Sequence, residues 1–267
     1  WQLIILDTAL GIGLGRLRLS NMSDLDLELS IMCNDEYWET PNPDDAFKKP
    51  ENTLSKLAYW AHHIKLIGIL GFTQYSIVSL PIPSRHLDPW GPTTLSAAEW
   101  NQKAVFELDS ALNKWLNALP DFLKYSPHQK ENVFAHQSAM LYAVFYWVQI
   151  QGLFISKVYN YCLSTCLFHW PFISQPGQKS ILMFPSLAIC ANTACSCVHL
   201  LHDHHQRSKI QFPHLMPLPF VCAIFLSTNL WHGMQLKMPL NATREMNDIQ
   251  KCLDILALYE DRYAEFC

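Results

Sequence analysis

The sequence predicts an all-α fold, a multi-helix domain built as an irregular bundle. Three observations carry that expectation. Apolar residues recur at spacings of three and four along several stretches, as they do on one face of a helix. Half of the 267 residues are hydrophobic, and only 16% are charged against a typical value of roughly 25%, which is an interior-rich composition. Proline and polar clusters cut the chain into helix-sized segments, at Ser30–Glu51, Leu80–Leu95, Pro171–Lys179 and Ser208–Pro219.

Taken in order, Trp1–Leu6 is an apolar run that reads equally well as a strand or as a helix entering Asp7–Leu14. Leu54–Ser79 places Leu57, Ala61, Ile64, Gly68, Gly71, Tyr75 and Val78 on one stripe, with Pro81 beyond its end. Ser96–Leu119 is the clearest helix. Ser96 and Glu99 form a capping box that satisfies free amides at a helix start. Trp100, Ala104, Leu108, Ala111, Leu112, Trp115 and Leu119 then share a face, and Pro120 closes the pattern. The apolar middle holds three more helices, around 133–158, 185–206 and 217–236. In Thr243–Phe266, Met246, Ile249, Leu253, Leu256 and Tyr263 face one way, with Arg244, Glu245, Asp248, Lys251 and Asp254 around them.

A chain of this length can bury a sizeable core as one large domain or two small ones. Its formal net charge of −4 argues against a free-standing nucleic-acid binder, which needs a basic face. Nine cysteines, an odd count scattered through a long chain, read as free thiols in a reducing compartment. A start at Trp1 and an end in mid-pattern at Cys267 read as a piece of a longer protein. Lys157 and Lys179 are the only charged residues between Val133 and Leu201, which raises a multi-pass membrane protein as the alternative. The apolar runs there are short or broken by Gln149, Gln151, Gly152, Pro185 and Asn192, and buried core helices explain them better.

The search for chemistry finds no complete constellation, and the chain reads as non-catalytic. Gly11, Gly13 and Gly15 alternate, but neither the dinucleotide fingerprint nor the P-loop spacing is met, so a helix end or close helix packing is the better reading. His199, His202, His204 and His205 could ligate zinc, yet they read as an exposed helix end whose cations suit the dipole. Cys162 and Cys166, and separately Cys190, Cys195 and Cys197, lack paired Cys-x-x-Cys units and read as small core residues. No cofactor or metal is expected in this chain. Asp24, Asp26, Glu28, Asp35 and Glu36 read as a solvated acidic stretch.

An ordered series of segments does carry a likeness. It starts with Trp1, Asp7 and Gly15-Arg16, then Asp26 to Leu29, then Cys33 to Glu39 with Asp35, Glu36, Tyr37 and Trp38. Leu70-Gly71 and Tyr75-Ser76 follow, then Leu108-Asp109, Leu112, Trp115 and Leu119-Pro120. His169, Trp170, Pro171, Phe172 and Ile173 come next, then Cys190 and Ala194, and finally Lys251 to Leu253. Over nearly the whole chain this resembles the fungal-specific transcription factor domain, the middle homology or regulatory region of zinc-cluster regulators of the xylanolytic-activator type.

The resemblance implies an all-α regulatory domain in a nuclear protein. DNA would be reached through a separate N-terminal six-cysteine zinc cluster, where the only zinc is expected. The Cys-x-x-Cys-x-x-x-x-x-x-Cys pattern of that cluster does not occur in these residues. A homodimer and a small-molecule effector or co-regulator are compatible partners, and a membrane is not expected. The likeness implies structural roles for Gly15, Arg16, Asp35, Glu36, Tyr37, Trp38, Trp115, Pro120, His169, Pro171 and Phe172.

Two departures stand out. Leu17 follows Gly15-Arg16 where the family has proline, and Trp170 replaces an arginine, which removes the partner for any buried ion pair there. The stretch 152–168 also separates two motifs that lie almost adjacent on one helix in the family. It reads as an insertion, and a translated retained intron would account for it.

Overall fold

The computed structural model describes residues 1–13, 19–20, 26, 28–51, 53–78, 97–130, 132–150, 183–212, 215–237 and 241–264, excluding the side chains of 12–13, 72–78, 97–105, 183–188 and 261–264. Among the described residues the fold is all-α: seven α-helices, three short 3-10 turns and no strand. The helices are α1 (Gln2–Gly13), α2 (Ala58–Val78), α3 (Ala97–Asn117), α4 (Val133–Ile150), α5 (Met183–Ser208), α6 (Pro217–Gln235) and α7 (Ala242–Ala264). The two-way reading of Trp1–Leu6 resolves as helix. The capping-box residue Ser96, Gly15 and Arg16, the insertion 152–168 and the His169–Phe172 motif lie outside the described residues.

Local chemistry explains the helix ends. The Asn132 side chain accepts from the Ala135 amide at 2.9 Å and starts α4, and Asn241 does the same for Arg244 at 3.1 Å and starts α7. Pro217 and Pro219 sit at the start of α6, where a missing amide costs nothing. Pro120 ends the α3 segment and opens a 3-10 turn over Asp121–Leu123. Helices α5 and α6 are each followed by a left-handed lysine, Lys209 at φ 56° and Lys237 at φ 51°, where glycine would be less strained.

Two groups of helices share one core. Helix α2 packs on α1, α3 and α4, while α5 packs on α4, α6 and α7, so α4 joins the groups. Leu66, Ile67 and Leu70 of α2 meet Leu112 and Trp115 of α3 and Leu141 of α4 in this core. The other group contributes Cys197, Val198, Leu218, Phe225 and Cys252. Among the described residues no helix is long and apolar enough to cross a membrane.

Burial corrects two expected faces. Helix α2 has no single stripe: Tyr59, His62, His63, Leu66, Ile67 and Leu70 are buried alongside Ala61 and Ile64, because neighbours cover it on several sides. In α7 the buried face is Asp248, Cys252, Ile255 and Tyr259, while the expected core residues Met246 and Leu253 are 55% and 48% exposed. The true face is one residue out from the expected one, a rotation of about 100°.

Trp115 ties α2, α3 and α4 together. Its Nε1 donates to the His62 carbonyl at 2.9 Å, and its ring stacks on Phe145 at 5.8 Å between centroids. Truncating it opens a cavity at the meeting point of three helices. Trp115→Ala should therefore lose about 3–5 kcal/mol in urea unfolding followed by circular dichroism. Trp115→Phe, which keeps an aromatic ring beside Phe145 but loses the hydrogen bond and part of the indole's volume, should lose less than Trp115→Ala, about 1–2 kcal/mol. A Trp115→Ala protein as stable as the wild type would contradict this placement.

Candidate functional site

The candidate site lies where α5 meets α7. Cys195 and His199 are four residues apart on α5 and so project from one face. Asp248 faces them from the second turn of α7. The Cys195 Sγ lies 3.3 Å from Asp248 Oδ2, and His199 Nε2 lies 3.1 Å from Asp248 Oδ1. Lys251, one turn further along α7, donates to Asp248 Oδ1 at 2.9 Å and stands 3.4 Å from His199 Nδ1. One ligand-capable atom each from Cys195, His199 and Asp248 falls within 4.8 Å of the others, and this is the one such group found among the described residues.

Electrostatics keep this cluster together. Burial pushes the Asp248 carboxyl up, but the Lys251 ammonium, the Cys195 thiol and the His199 ring together hold it below the usual carboxylate range. Burial, followed by the hydrogen bond to Asp248, pushes the Cys195 thiol up, so at neutral pH it is a donor to the carboxylate. Asp248 is thus a buried anion with three partners. That is why a charged residue can occupy the inner face of α7.

The histidine stretch divides by position. His199 and His202 have side chains 43% and 34% exposed, whereas His204 is buried at 3%. The expectation of an exposed helix end fails at His204, because the chain after α5 folds back and stacks Phe212 on its ring at 4.7 Å. His136 of α4 faces it, Nδ1 to Nε2 at 3.1 Å. Arg207, also in the last turns of α5, donates to the Pro127 carbonyl at 3.0 Å and the Tyr125 hydroxyl at 3.3 Å. Cys190 and Cys197 are buried as expected, Cys222 and Cys252 are buried with them, and Cys162 and Cys166 lie outside the described residues; burial pushes the Cys190 thiol up to about 12. Cys195 departs from that pattern through its polar partner.

Of the residues singled out by the family likeness, Asp35, Glu36 and Tyr37 form a 3-10 turn, with Trp38 after it. Trp38 Nε1 donates to the Cys33 carbonyl at 3.2 Å. Asn34 carries the turn: its amide donates to the Leu54 carbonyl at 3.2 Å and accepts from the Lys56 amide at 2.8 Å, fastening residues 33–38 to the start of α2. Asn34, Asp35 and Glu36 border an open cleft with Lys56, Trp60 and Gln137. Glu36 and Lys56 pair at 3.5 Å with both side chains more than half exposed, so the pair adds little. Trp115 and Pro120 are packing and helix-end residues. These residues do not converge with the α5–α7 cluster. Sequence reasoning missed that cluster because its third member is on a distant helix; the Cys-x-x-x-His spacing in α5 was the available signal.

The fold and the cluster define an all-α multi-helix domain with a buried polar junction between two of its helices. Comparison with family models, with curated proteins and with solved structures yields no match.

The His136–His204 pair makes stability depend on pH. Burial first, then the charges of His136, Arg207 and His205, push His204 from 6.5 down to about 4. The unfolded chain therefore takes up this proton first as pH falls. The His204 contribution is complete above the unfolded value and is lost as pH drops towards the folded one. The urea midpoint should fall between about pH 7.5 and about pH 5, and His204→Gln should remove most of that drop. An equal drop in the variant would show that other groups carry the dependence.

Proposed function

We propose that the chain is a non-catalytic regulatory domain of a fungal zinc-cluster DNA-binding transcription factor, acting in the nucleus on transcription by RNA polymerase II. The observation that carries the reading is the ordered series of motifs resembling the fungal-specific transcription factor domain. The physical roles of the described motif residues support it. The Cys33 carbonyl accepts from Trp38 and closes the 33–38 turn, Asn34 fastens it to the start of α2, Trp115 joins three helices, and Pro120 opens the turn after α3. Cys190, Ala194 and Cys252, also in the series, are buried in the shared core. These are packing roles, as a regulatory domain requires of its shared residues.

In this reading DNA is contacted by a six-cysteine zinc cluster encoded upstream of Trp1, and a second copy of the chain pairs alongside. The helical domain changes the output by binding a small-molecule effector or co-regulator. The mixed polar and aromatic cleft bordered by Asn34, Glu36, Lys56 and Trp60 is a suitable place to start looking for one.

Sequencing the mature transcript through and upstream of the codon for Trp1 tests the reading directly. The expected message encodes a six-cysteine cluster with a basic segment ahead of this domain, and lacks 152–168. A message whose upstream region encodes no such cluster would overturn the functional reading. One that retains 152–168 would overturn only the insertion.

A further inference from the structure

We propose that Cys195, His199 and Asp248 form a divalent metal site of the zinc class that joins α5 to α7, with the Lys251 ammonium standing in for the cation in the metal-free protein. The donor set is sulfur, imidazole nitrogen and carboxylate oxygen, which suits a borderline-soft ion such as Zn2+. The spacing also fits. Metal bonds of about 2.0–2.3 Å place tetrahedral ligand atoms roughly 3.2–3.8 Å apart. Asp248 Oδ2 already lies 3.3 Å from the Cys195 sulfur and Oδ1 lies 3.1 Å from His199 Nε2, and one ligand atom of each residue falls within 4.8 Å of the others. Small side-chain shifts would open that geometry, with a water as fourth ligand.

The position of Lys251 supplies an independent argument. A positive charge already sits against two of the three ligand side chains, at 2.9 Å from Asp248 Oδ1 and 3.4 Å from His199 Nδ1. The cluster therefore already holds a cation at its edge. Its side chain is 20% exposed, so it can leave towards solvent on its flexible stem. Metal binding forms the sulfur–metal bond as the Cys195 thiol releases its proton to solvent. The proton of the His199 ring, donated from Nε2 to Asp248 in the metal-free state, moves to Nδ1 as Nε2 takes the metal. An Nδ1–H cannot accept from an ammonium, so Lys251 must give up its contact with His199, and its charge beside Asp248 Oδ1 opposes the incoming cation. The lysine is a built-in competitor that sets the affinity.

Cobalt(II) titration of the purified, chelator-treated chain tests this, because a cobalt–thiolate bond gives a charge-transfer band that carboxylates and imidazoles alone do not. The expected result is one equivalent of cobalt with that band, displaced by zinc. Cys195→Ser should abolish the band, and Asp248→Asn should weaken binding on the order of tenfold or more. Lys251→Met should tighten binding on the order of tenfold, and zinc should raise its melting temperature more than that of the wild type. Circular dichroism of each variant separates loss of ligation from loss of fold. A band that survives Cys195→Ser, no band at saturating cobalt, or a Lys251→Met protein with unchanged affinity would overturn the proposal.

Discussion

Helix α5 must be buried against α4, α6 and α7 at once, and much of the remaining structure follows from that constraint. A helix covered on three sides needs small residues wherever a neighbour crosses closely. Cys190, Ala191, Ala194 and Cys197 meet that need on α5, with Cys222 on α6 and Cys252 on α7. These thiols act as small apolar side chains at the crossings, and burial holds those of Cys190, Cys222 and Cys252 protonated. The high cysteine content is therefore a packing feature in most of the described positions. It departs from that role at Cys195, where the neighbour is a carboxylate.

Asp248 gives the α5–α7 contact its specificity. A buried carboxylate is costly unless its lone pairs are filled, and here an ammonium, an imidazole and a thiol fill them. Sliding or rotating α7 by one residue would take the carboxylate away from Cys195 and His199 of α5 and leave it only Lys251 of its own helix. At the C-terminal end of α5, Ser208 accepts from the Ile210 amide where the chain turns back, His204 stacks on Phe212, and Arg207 holds the 125–127 loop. The helix is thus fixed by polar contacts at its middle and at its C-terminal end, with apolar packing around them.

Sequence pattern revealed the helical class, six of the seven helices outright and their approximate limits, because three-to-four spacing and proline punctuation are local signals. It placed the described part of the α3 face correctly, since Leu108, Leu112 and Trp115, and Leu119 just beyond the helix, are all buried, while the side chains of Trp100 and Ala104 lie outside the described residues. It failed on α7 for a physical reason. An aspartate reads as surface when its partners lie some fifty positions away, so the expected face was assigned to Met246 and Leu253. The same blindness hid the candidate site. His204 was misread because Phe212, which covers it, belongs to a loop whose course no periodicity reports. The motif residues around Asn34 were legible as a likeness, but their task of clasping residues 33–38 to α2 was visible only in three dimensions.

Both the core and the α5–α7 cluster depend on the orientation of α7. Equilibrium unfolding of Cys252→Asp and Leu253→Asp, made side by side, tests it most directly. With Cys252 fully buried and Leu253 48% exposed, the account predicts a loss of several kcal/mol or outright unfolding for Cys252→Asp and a near-neutral Leu253→Asp. The reverse order of damage would place Asp248 on the outer face and contradict the account.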